Sequence, residues 1–80
     1  MSKIRHIVGD NIRFIREKKK MVQEELAVKA KISRTHLGML ERGQRVASIE
    51  ALEKIAIALE VSLCQIVTED AYRDYKPKAL

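Results

Sequence analysis

The stretch QEELAVKAKISRTHLGMLERGQR, Gln23 to Arg45, decides how this chain is read. Its first part puts Leu26, Ala27 and Ala30 on one helical face behind Glu24 and Glu25, whose charges suit the positive end of a helix dipole. Its last part starts behind Ser33, a good N-cap, and stops at Gly43, a good residue just past a helix end. Only about three residues remain between the two short helices.

Working outward, Ile7 to Lys19 spaces Val8, Ile12 and Ile15 as a first helix. Ser48 caps a fourth, whose apolar stripe is Ile49, Leu52, Ile55, Ala56 and Leu59. Ser62, Leu63, Cys64 and Gln65 have the S-x-x-Q form of a capping box, so a short fifth helix follows. From Thr68 the sequence TEDAYRDYKPKAL loses its apolar period and reads as a tail, non-helical by Pro77. With no repeat and no low-complexity segment, the 80 residues read as one all-α domain of five helices, core about 7–67 and tail 68–80. Ala, Leu, Ile, Glu, Lys and Arg dominate the composition, which favours helices.

Charge is unevenly spread. Residues 1–45 hold twelve Lys and Arg against five Asp and Glu, giving +7, whereas residues 46–80 hold four against six, giving −2. The basic half points to a polyanion, most simply nucleic acid. No apolar run approaches a membrane-spanning length and the N-terminus has no signal-peptide core, so a cytoplasmic location is expected. The Lys18 to Lys20 run taken alone is more often a solvated patch than a binding site. His6 and His36 are far apart and Cys64 is the single thiol, so no metal-ligand spacing exists and neither a metal nor another cofactor is expected. Cys64 itself reads as a buried core residue. Glu24 and Glu25 are adjacent on a helix and point in different directions, and no nucleophile has a base nearby in any motif; an enzyme is not expected.

A tight connection between two short helices is the helix-turn-helix arrangement, whose second member can be offered to the DNA major groove. With Leu37 facing the core at 100° per residue, Leu40 and Glu41 lie on its side of the wheel, and the outward surface is Arg34, Thr35, Gly38, Met39 and Arg42. It lacks the carboxylates an ordinary solvated face would mix in. Arg34 can give a bidentate hydrogen bond to guanine O6 and N7, Thr35 can bond a base edge or a phosphate or touch a thymine methyl, and Met39 offers apolar contact. Arg42 and Arg45, near the helix exit, suit phosphates, as do the Gln23 amide and its backbone N–H. His36, on the edge of the face, can reach a base or phosphate or remain solvated. Gly38 either lets the helix backbone approach the bases closely or is tolerated at a solvated position.

These residues, followed by SIEALEKIAIAL, resemble the phage repressor-like helix-turn-helix family, whose pattern is TQ-x-x-LA-x-x-AG(V/I)S-x-x-x-(I/L)-x-x-(I/L)E-x-G-x-R and then a capped amphipathic helix. The resemblance covers about Ile7 to Val67. It implies that Gln23 holds a phosphate and braces the recognition helix, that Ser33, Arg34, Thr35, Gly38 and Met39 face the groove, and that Arg16 pairs with Glu41. The chain departs from the pattern at Val22, where Thr or Ser would cap the helix; at Lys31, where Gly would take a left-handed backbone; and at Val46 and Ala47, which replace Asn and Pro.

Within the family, a chain of this size is similar to the controller proteins of restriction-modification systems, and small phage repressors share the description. In controllers the end of the fourth helix and the fifth form a homodimer, which here implicates Leu59, Val61, Leu63, Ile66 and Val67; alternatively these residues complete the monomer core. The resemblance thus implies a sequence-specific transcription regulator that binds double-stranded DNA at a palindromic operator as a homodimer, with RNA polymerase as a further partner if it activates. An antitoxin-like or anti-repressor-like protein-interaction module on the same fold, using Tyr72 and Tyr75 of the tail, is the competing expectation.

Overall fold

Five helices account for most of residues 3–69, the part of the chain that the computed structural model describes: α1 Lys3–Lys18, α2 Gln23–Ala30, α3 Arg34–Glu41, α4 Ile49–Leu59 and α5 Leu63–Val67. No strand occurs among the described residues. The tail beyond residue 69, with Tyr72, Tyr75 and Pro77, lies outside them.

The core is built from one apolar stripe per helix: Ile12 and Ile15 of α1, Leu26 of α2, Leu37 and Leu40 of α3, Ile55 and Leu59 of α4, and Ile66 of α5. Helix α1 packs on α3 and α5, and α2 on α3 and α4. Ser33 Oγ and Ser48 Oγ accept from the His36 and Ala51 N–H groups at 3.0 Å, and Gln65 Oε1 accepts from the Ser62 N–H at 3.2 Å. Helix α2 has no side-chain cap at Val22, and Lys31 ends it in the left-handed conformation at φ 59°, where the Ile32 N–H reaches the Ala27 carbonyl at 3.0 Å. Lys31 therefore bears the backbone strain that glycine would avoid.

Three features differ from the sequence expectation. Helix α1 begins at Lys3, four residues before Ile7; Ile4 continues the angle of the Val8–Ile12–Ile15 stripe by another turn and is 47% exposed. Cys64 is exposed rather than buried: α5 is five residues long, Ile66 takes its core position, and Cys64 lies about 200° around the wheel from it. Ile49, at the first position of α4, is 78% exposed, and the buried stripe runs through Ala51, Ile55, Ala56 and Leu59.

Two residues of α1 set where its neighbours sit. A Cβ on Gly9 would stand 2.7 Å from the Glu41 carbonyl oxygen and closer still to that of Leu40, so α1 crosses the end of α3 with backbone against backbone. Asn11, fully buried, donates through Nδ2 to the carbonyls of Ile66 at 2.7 Å and Thr68 at 2.9 Å, tying the end of α5 to α1.

Candidate nucleic-acid interface

Helix α3 is held from its C-terminal end. Glu41, 4% exposed, receives Arg16 Nε on Oε2 at 2.7 Å and Arg16 Nη2 on Oε1 at 3.0 Å, a bidentate pair. The third guanidinium nitrogen, Nη1, donates to the Met21 carbonyl at 2.7 Å, and Gln23 Nε2 donates to Glu41 Oε1 at 3.0 Å. One carboxylate thus gathers α1, the α1–α2 turn, the start of α2 and the end of α3. Buried charges survive only when so satisfied, and the same bonds fix the angle between α2 and α3.

The consequence appears on the other side of α3. Ser33, Arg34, Thr35 and Arg42 are exposed, while His36 and Met39 are half-buried. The helix's one carboxylate is turned inward, leaving two arginines and a hydroxyl on the outer face. Arg45 is exposed in the following loop. Gln23 carries one amide N–H not needed by Glu41, beside first-turn backbone N–H groups of α2 that no side chain caps. Those groups, with Arg34 and Arg42, can receive phosphate oxygens and base acceptors.

Gly38 corrects the helical-wheel expectation. It is buried, because the guanidinium of Arg42 lies over it: a Cβ at residue 38 would stand 3.2 Å from Arg42 Nη1. Arg42 Nε donates in turn to Gln44 Oε1 at 3.0 Å. The bare backbone of Gly38 is not open to a groove. No helical spacing marks Gln44, which follows the turn at residues 42 and 43, where side chains two apart meet outside any helical period.

The expected dimer residues also divide. Leu59 and Ile66 are 0% exposed and belong wholly to the monomer core, which corrects their assignment to an interface. Val61 and Val67 pack partly against that core. The apolar surface left at this end is Leu63, 41% exposed, and Ile57, 71% exposed, which the sequence stripe did not single out.

Among the described residues no group of three or more His, Cys, Asp or Glu side chains is placed to hold a metal ion, and no helix is long and apolar enough to cross a membrane.

A family model described as helix-turn-helix matches residues 12–66. The immunity repressor protein of Bacillus phage phi105 is 40% identical over 63 residues, 79% of this chain and 44% of that protein, so the chain spans less than half the length of this relative. Control protein C.BamHI of Bacillus amyloliquefaciens is 42% identical over 59 residues, 72% of this chain and 73% of that one. The restriction-modification controller protein C.Esp1396I, solved as a tetramer in complex with its natural 35 base-pair operator, superimposes with a TM-score of 0.74 at 40% identity, covering 78% of this chain and 82% of that one.

Proposed function

The chain belongs to the helix-turn-helix family, and from that premise we propose that it is a sequence-specific DNA-binding transcription regulator that lays α3 in the major groove of a palindromic operator as a homodimer. The observation that carries the reading is the sorting of charge on α3: Glu41 is drawn inward by Arg16 and Gln23, while Arg34, Thr35 and Arg42 remain outside with no carboxylate among them. An exposed face of that composition suits a negatively charged groove lined with acceptors. Arg34 and Thr35, with Ser33 and Met39 beside them, read bases; Gln23, His36 and Arg45 hold phosphates.

Leu63 and Ile57 supply the apolar surface for pairing two copies, with Val61 and Val67 at its margin. Two-fold symmetry sets the recognition helices about 34 to 36 Å apart on one side of the duplex. The resemblance to control proteins supports the role of a cytoplasmic restriction-modification controller whose operator occupancy follows its own concentration. The phage immunity repressor supports a second reading, a phage-type repressor; endonuclease and methyltransferase genes beside this one would favour the first, phage genes the second. Residues 1–80 act as one DNA-binding domain in either case.

The test is selection of duplexes from a random library by the purified chain. A two-fold symmetric site with half-sites about one helical turn apart is expected. Sedimentation at micromolar concentration should show two chains, and Leu63→Glu should return it to one. Binding without sequence preference would overturn the proposal.

A further inference from the structure

Arg42 and Gly38 are one helical turn apart, and Gln44 follows in the turn that ends α3. We propose that Arg42 is a specificity-determining residue that reads a guanine edge from the space above Gly38, and that Gln44 is its positioning residue. The inference rests on the DNA-binding reading above and replaces the expectation that Arg42 holds a phosphate.

A phosphate contact from the last turn of α3 calls for a side chain extended past the helix end. The guanidinium instead folds back along the helix, with Nη1 3.2 Å and Cζ 3.8 Å from the point where a residue-38 Cβ would stand. It thereby sits over the face that also carries Arg34 and Thr35. No carboxylate pairs with Arg42 among the described residues; its partner is the neutral Gln44, whose Oε1 accepts from Nε at 3.0 Å.

That bond decides which edge of the fork is presented. With Nε occupied, Nη1 and Nη2 remain, and their two parallel N–H groups match O6 and N7 of guanine. Because Gln44 holds the rotamer before DNA arrives, less side-chain freedom is lost on binding. Gly38 is the complementary requirement. Any side chain there occupies the space into which the guanidinium folds, so the glycine and the arginine serve one reading position.

The experiment uses the full chain, a duplex that the wild type selects from a random library, and a scrambled duplex of the same length, with affinities measured at one salt concentration. Arg42→Lys keeps the charge and loses the fork, so the ratio of selected to scrambled affinity should fall roughly 10- to 100-fold while scrambled binding is unchanged. Gln44→Ala should lower the same ratio by about 3- to 10-fold. Gln44→Glu, which keeps the acceptor, should retain the ratio and weaken both duplexes together. A selected site whose preference survives Arg42→Lys, or a Gln44→Ala effect equal on both duplexes, overturns this inference alone. A wild-type chain that selects no sequence overturns the DNA-reading proposal as well.

Discussion

Glu41 and Arg42 are adjacent in the chain, and each is hydrogen-bonded to a glutamine, with different surroundings. Glu41 is buried, accepts from Arg16 and Gln23, and holds three segments of chain together. Arg42 is exposed, donates its side-chain hydrogen bond to Gln44, and folds over Gly38 one turn back along the same helix. Similar hydrogen bonds therefore have different consequences. In the interior the loss of one partner leaves a charge without water; at the surface water replaces the partner at little cost, and what changes is the direction in which the side chain points.

The largest expected effect lies on the buried side. Glu41→Ala should lower the free energy of unfolding by about 3–5 kcal/mol, measured by urea denaturation, because the Arg16 guanidinium is left in place with the Met21 carbonyl as its remaining interior partner. The double change Arg16→Met with Glu41→Leu should recover much of that loss, since it removes both charges. If the double variant is no more stable than Glu41→Ala, the deficit is not an uncompensated charge.

Next is the crossing that brings Glu41 to Arg16. Gly9→Ala sets a methyl against the Leu40 and Glu41 carbonyls, backbone atoms that cannot rotate away, and should cost about 1–3 kcal/mol despite the better helix propensity of alanine. An unchanged melting temperature would mean that α1 and α3 are not in backbone contact.

On the exposed side Gly38→Ala should behave oppositely. Its new methyl meets the flexible end of Arg42, so helix propensity dominates, with a gain of up to about 1 kcal/mol in stability and a fall in operator preference. The smallest effect belongs to Arg42→Ala, whose stability should stay within about 0.5 kcal/mol of wild type. A loss comparable to that of Glu41→Ala would erase the distinction between the two residues.

The same contrast marks how far the sequence could be read. The five helices follow from apolar spacing and from the caps at Ser33, Ser48 and Ser62, all local signals. Helical angle alone also puts Leu37 inward and Arg34 and Thr35 outward. Depth is another matter. Gly9 and Asn11 act through partners 31 to 57 residues away, and no local pattern records that a backbone or a pair of carbonyls will arrive there. Cys64 and Ile66 sit on opposite sides of a helix of less than two turns, and with so few apolar residues its wheel does not tell which side faces inward. Leu59 and Ile66 were equally apolar as core or as interface residues, and only packing against α1 and α2 distinguishes them. Helical angle puts Gly38 on the outer face, yet it is covered, because a neighbouring side chain can fold over a position that its own backbone leaves open.

The most direct test of the central claim, that the outer face of α3 reads DNA sequence, is the affinity of Arg34→Ala for a selected and a scrambled duplex over a range of salt concentrations, beside Arg45→Ala. Arg34→Ala should lose about 1–3 kcal/mol on the selected duplex and little on the scrambled one, whereas Arg45→Ala should weaken both and lower the salt slope by roughly one. Equal losses on both duplexes for Arg34→Ala would contradict the account.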